Sequence, residues 1–75
     1  MTDRLPVRYW AAFVGTAMGQ GITLHTSQHA ALLEVASSLG VELDENLDDA
    51  QIDNILAGWC NRRADDFCVQ EVAIP

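Results

Sequence analysis

The most explicit structural signal in the sequence is the start of a helix at Asp48. Asp48 and Gln51 have the spacing of a capping box, in which each side chain satisfies a backbone amide at the position of the other. Leu47 and Ile52 lie where a hydrophobic staple would form across the same helix start. Few helix-start signals this clear occur by chance, so we predict a helix that begins after Asp48. The other helices and strands are assigned to the sequence on either side of this helix.

The residues that follow this start carry one apolar stripe at helical spacing, formed by Ile52, Ile55, Leu56, Trp59 and Cys60. Arg62 and Arg63 fall in the predicted last turn, where cations favour the carbonyl end of the helix dipole. Gly58 interrupts the helix at a cost of about 1 kcal/mol relative to alanine. It indicates either close packing under Trp59, which we favour, or an early end of the helix.

Turn and cap residues divide the remaining chain into four elements. Residues 6–14 are rich in β-formers and end at Gly15, and the glycines that follow predict a hairpin to a second strand at 21–26. Thr26 or Ser27 can cap a helix over 27–39, whose apolar stripe is Leu32, Val35, Ala36 and Leu39. Gly40 supplies a left-handed stop. Residues 67–74 read as a closing strand.

This order, β-β-α-α-β, predicts an α+β fold in a single domain, residues 1–75. The simplest packing places both helices on one face of a three-stranded sheet. Of the two side-chain sets of the first strand, we expect the set with Arg8 to face solvent on the open face, which exposes Trp10. Cys68, Val72 and Ile74 would then point inward. Val69, Glu71, Ala73 and Val14 would share the open face, where Glu71 could pair with Arg8. Such a face would contact a partner or a second copy unless loops cover it.

The net negative charge of the chain argues against several classes of binding function. Eleven acidic residues against four arginines give a net charge of −7, and the arginines do not form the basic patch that nucleic-acid or anionic membrane binding needs. An acidic surface suits a basic protein partner, or keeps a small domain soluble. The chain has no long apolar run and no signal-peptide pattern at Met1, so we expect a soluble, cytoplasmic protein.

Metal and nucleophile sites are disfavoured, and we expect neither catalysis nor a cofactor. His25 and His29 are four residues apart, but the predicted helix starts between them, so they do not share one helical face. Cys60 and Cys68 both look like core thiols, poorly reactive because an apolar environment disfavours the thiolate. A disulfide between them is geometrically conceivable, although cytosolic cysteines more often stay reduced.

Six of the eleven acidic residues fall within positions 42–53, here called the acidic segment: Glu42, Asp44, Glu45, Asp48, Asp49 and Asp53. An EF-hand loop fails at its two most demanding positions, because Asp49 replaces the turn glycine and Ile55 the bidentate glutamate. The helix dipole accounts only for Asp48 and Asp49. The segment is therefore either a solvated loop or an acidic ridge whose carboxylates imitate a row of phosphates.

In length, acidity, element order and lack of catalytic residues, the chain resembles small proteins that phages and plasmids encode against host defences, in particular anti-CRISPR and DNA-mimicking anti-restriction proteins. The resemblance covers the whole chain and rests on general character. It implies an inhibitor that binds a CRISPR effector complex or nuclease through acidic and aromatic side chains. On this sequence the candidates are Asp44, Glu45, Asp48, Asp49, Asp53 and Trp10. The alternatives are a self-associating structural or regulatory module and an accessory subunit of an enzyme.

Overall fold

The structure, a computed structural model, describes residues 7–74. Three antiparallel strands form one sheet in the order β2-β1-β3, and the chain order β-β-α-α-β is the predicted one. Strand β1 spans Val7–Thr16, β2 spans Gly19–His25 and β3 spans Asp66–Ile74. The hairpin strands are each two residues longer at the turn than predicted, and the predicted start of β1 at residue 6 lies outside the described residues.

A tight turn at residues 17–18 joins β1 to β2. The Thr16 hydroxyl accepts a hydrogen bond from the backbone N–H of Met18 at 3.1 Å. Gly19 pairs with Thr16 and has φ 139, a backbone conformation that residues with a Cβ rarely adopt. The first glycine of the predicted turn therefore closes the hairpin, whereas Gly21 lies within β2.

Both helices begin and end close to the predicted positions. Helix α1, Gln28–Leu39, is capped by Ser27, whose hydroxyl accepts from the Ala30 N–H, and it stops at Gly40 with φ 76. Helix α2, Asp49–Arg63, begins with both hydrogen bonds of the predicted capping box at Asp48. It continues through Gly58, so the early end is excluded, and a Cβ at Gly58 would meet only the Arg62 guanidinium at 3.7 Å. Close packing is therefore not the reason for this glycine.

The helices cover one face of the sheet and enclose the core. Helix α1 crosses all three strands, whereas α2 lies beside α1 and over β3. The buried core cluster consists of Ala12, Ala31, Leu32, Val35, Ala36, Ile52 and Leu56. The two helices start side by side, because His29 in the first turn of α1 contacts Asp49 in the first turn of α2. The connection between them, residues 40–48, therefore returns along the length of α1.

The assignment of sheet faces from the sequence was wrong. Ala12 is 2% exposed, and Trp10, Val14, Phe67 and Val69 pack around the core, so these residues point toward the helices. Arg8 shares that face but lies near its end, where its side chain stays 69% exposed and pairs with Glu71 at 3.4 Å, the predicted pair. The opposite face, here called the open face, carries at its register positions Tyr9, Ala11, Phe13, Ile22, Leu24, Cys68, Gln70 and Val72.

Candidate functional site

The acidic segment is held against the core by three apolar side chains. Val41, Leu43 and Leu47 are half-buried and pack on the core cluster. Glu42, Asp44 and Glu45 lie between these anchors and are exposed. The alternation of anchors and acids, visible in the sequence but not used in our prediction, explains why the carboxylates project from a fixed backbone.

Hydrogen bonds to the backbone fix two of these carboxylates. Asp44 Oδ1 accepts from the Asn46 N–H at 3.0 Å, which makes a local turn in the loop. Asp48 Oδ1 accepts from the Gln51 N–H at 2.8 Å, and Gln51 Oε1 accepts in return from the Asp48 N–H at 2.9 Å. Both residues are exposed, so both carboxylates lie at the surface.

Asp49 joins the two helix starts. Its Oδ1 accepts from His29 Nδ1 at 2.8 Å, with the two side chains 36% and 51% exposed. His29 is exposed in the first turn of α1, and its contact with Asp49 was not predicted from the sequence. No sequence signal could place two residues twenty positions apart in contact without knowledge of how the helices pack.

The arginines of the described chain make no ion pair with the acidic segment. Arg8 pairs with Glu71 on the sheet. Arg62 extends over Gly58, and the Arg63 guanidinium lies 4.3 Å from the centre of the Trp59 ring in a cation–π contact. Within residues 7–74, the charges of Glu42, Glu45 and Asp53 are thus left without a cationic partner from the chain.

Trp10 does not belong to this acidic surface. The prediction that it is exposed on the open face was wrong, because its side chain is partly buried on the helix-covered face. Trp10 was predicted to face solvent because it lies on the same face of β1 as Arg8, which was expected to be exposed. Arg8 is exposed, but it reaches solvent from the helix-covered face because it lies near the end of the sheet. A role for Trp10 in partner binding stays a prediction.

The two cysteines have different environments. Cys60 is buried, and desolvation, followed by the charges of Asp65 and Asp66, raises the pKa of its thiol. This agrees with the predicted core thiol. Cys68, in contrast, is exposed on the open face, so its prediction as a core thiol was wrong. Both cysteines are free, and the described residues contain no group of three His, Cys, Asp or Glu side chains suited to a metal ion.

The open face is a second candidate surface. Ile22 is 68% exposed and Leu24 52% exposed, and both lie on the edge strand β2. Tyr9, Phe13 and Val72 are half-buried beside them. The sequence predicted an apolar open face but assigned it the opposite set of side chains.

We found no match for the chain among protein-family models, curated proteins or solved structures. Among the described residues, no helix is both long and apolar enough to cross a membrane.

Proposed function

We propose that the chain is a non-enzymatic inhibitor that binds a nucleic-acid-handling complex, such as a CRISPR effector or another nuclease, through the acidic segment. The observation that supports this proposal is the anchoring of the segment. Val41, Leu43 and Leu47 hold the backbone on the core, so the exposed acidic residues between and after them are carried on an ordered backbone.

An ordered backbone favours binding because less conformational entropy is lost when a partner contacts the segment. A channel that holds nucleic acid is lined with Lys and Arg, whose guanidinium and ammonium groups bind carboxylates as they bind phosphates. The net charge of −7 spread over 75 residues also steers a basic partner toward the chain. The concentration of six acids in positions 42–53 favours a local contact over imitation of a whole duplex.

The test reverses charges that have no structural role. Glu45→Lys with Asp53→Lys changes two exposed carboxylates for which the structure gives no hydrogen bond, and it spares the cap Asp48, the turn residue Asp44 and the His29 partner Asp49. The matched control, Asp65→Lys with Asp66→Lys, makes the same change in net charge where α2 ends and β3 begins. Circular dichroism checks the fold of both variants.

The assay measures how well a panel of CRISPR and restriction systems blocks a challenging phage or plasmid in cells that express each form of the protein. We expect the wild type and the control to protect a challenging phage or plasmid from one system, and the Glu45/Asp53 variant to lose that protection. No protection by the wild type against any system contradicts the inhibitor function. Equal protection by all three forms would remove the acidic segment as the contact surface.

A further inference from the structure

The open face has the composition of an interface rather than of a solvated surface. Side chains of three strands contribute to it, and the most exposed of the described apolar ones are Ile22 and Leu24. The Phe13 ring extends along β1 over Gly15, where an added Cβ would lie 3.3 Å from its Cζ, so this side chain adds its flat surface to the face. Contiguous apolar patches on soluble domains mark contact sites.

The open face is also nearly free of charge. In the described chain, the carboxylates lie on the helix side, in the acidic segment or at the turn before β3, and Glu71 shares the inner face with Arg8. Among the described acidic residues, only Asp66 occupies an open-face register position, opposite Gly15 at one end of the sheet. A strongly basic partner would find no carboxylate in the centre of this face to pair with.

The exposed apolar side chains and the lack of charge in the centre of the face favour an uncharged, apolar occupant. We propose that the open face binds the open face of a second copy of this chain, so that two sheets pack face to face in a symmetric dimer. Such an interface is self-complementary, because each copy offers the same strands, which are mainly apolar and include the uncharged Gln70. Packed sheets lie about 10 Å apart and interdigitate side chains, as in β-sandwiches.

The distribution of charge permits this arrangement despite the net charge of each copy. In the dimer, the two acidic segments lie on the outer layers, separated by both sheets and the helices that cover them. This separation exceeds the Debye length of about 8 Å at physiological ionic strength, so repulsion between the segments is largely screened. The acidic segments also stay accessible, which makes the dimer compatible with the proposed function but independent of it.

The area available predicts a reversible dimer. Three strands spaced about 4.8 Å apart, each contributing about seven residues at about 3.3 Å, give a face of about 14 by 23 Å. Two such faces have a combined flat area of about 640 Å², below the about 1,200 Å² that the smaller specific interfaces bury, so the contact is a weak one. We therefore expect a dissociation constant in the micromolar range.

The first test measures molecular mass by sedimentation equilibrium as protein concentration rises. Leu24→Glu places a carboxylate within the interface, beside Ala11 of the central strand, and should weaken the dimer by at least about 100-fold. Leu33→Glu is the matched control, because Leu33 is 43% exposed on α1, outside the open face, and the substitution has the same chemistry. The control should keep the dimer.

The second test needs no variant. Cys68 lies on the open face and Cys60 in the core, so alkylation of Cys68 should be at least about fivefold slower at about 500 μM protein than at about 5 μM. Cys60 serves as the internal reference for local unfolding. If the wild type stays a monomer and Cys68 is labelled at one rate throughout, the proposal is wrong.

Two other outcomes also contradict the proposal. A dimer that survives Leu24→Glu uses another surface, such as a free sheet edge. If Leu24→Glu and Leu33→Glu weaken the dimer equally, the effect comes from the added net charge and not from the open face. None of these results bears on the protection assay, so failure of the dimer and failure of the inhibitor function can be told apart.

Discussion

Gly58 lies in the interior of α2, whereas Ala64, directly after the helix, has the left-handed backbone conformation with φ 58 and ψ 30. Glycine in a helix interior costs about 1 kcal/mol relative to alanine, because it loses more backbone entropy on folding. Alanine in the left-handed region is strained by its Cβ, and glycine is the usual residue at this position. Alanine would therefore be favoured at position 58, and glycine at position 64.

We predict that Gly58→Ala and Ala64→Gly each raise the free energy of unfolding by about 0.5–1 kcal/mol. A Cβ at position 58 has room, because the nearest atom it would meet is the mobile Arg62 guanidinium at 3.7 Å. The two gains should add in the double variant, because the substitutions relieve separate backbone costs. Urea denaturation monitored by circular dichroism measures all three.

Gly40→Ala is the control for the glycine prediction. Gly40 ends α1 with φ 76, so alanine should destabilise the domain there by about 1 kcal/mol. Destabilisation by Gly58→Ala would show that the glycine has a packing role after all.

The cap residue Asp48 carries a second prediction. Asp48→Ala removes the acceptor for the Gln51 N–H and should lower the free energy of unfolding by about 1 kcal/mol. Asp53→Ala removes a carboxylate one turn later that takes no part in the capping box, and it should change stability by less than about 0.5 kcal/mol. Equal effects of the two substitutions in urea denaturation would contradict the capping box.

At the scale of the element, two adjacent apolar residues of α2 differ in burial. Leu56 is 0% exposed in the core, whereas Ile55, which the sequence placed on the same stripe, is 40% exposed. We predict that Leu56→Ala costs about 2–5 kcal/mol, enough to unfold much of so small a domain, because it opens a cavity. Ile55→Ala should cost less than about 1 kcal/mol in the same thermal denaturation assay. Similar losses would mean that α2 is rotated about its axis.

The order of elements and their bounds could be predicted because caps and glycines act locally. Ser27, Gly40 and the Asp48 capping box all lie where the sequence placed them. The orientation of β1 could not be predicted in this way, because both of its faces are apolar and alternation does not distinguish them. The informative residue is Ala12, whose small side chain lies under α1 at the centre of the sheet.

The acidic segment was recognised from composition, but its anchoring was not. The loop residues Val41, Leu43 and Leu47 have no helical or strand periodicity of their own, and their burial depends on the return path of the chain beside α1. The contact of His29 with Asp49 depends on the same path. Such contacts follow from tertiary packing and not from local sequence.

At the scale of the whole molecule, uneven charge should make stability depend on salt. Like-charge repulsion within the acidic segment opposes folding and is screened as ionic strength rises. We predict that the thermal midpoint, measured at low protein concentration, rises by several degrees, about 3–6 °C, between 10 mM and 500 mM NaCl. Glu45→Gln with Asp53→Asn should reduce this rise, because both carboxylates lie in the segment. A midpoint that stays constant or falls with salt would contradict the repulsion.

The central position of β1 also determines when the fold can be completed during synthesis. β1 is made first of the described elements, yet one of its two neighbours in the sheet is β3, with Val7 paired to Ile74. A nascent chain that ends before residue 66 has a hairpin and two helices but lacks Phe67 and Val69 over the core. Its apolar interior therefore stays open until the last strand arrives, and a ribosome that stalls late releases a product prone to aggregation or proteolysis.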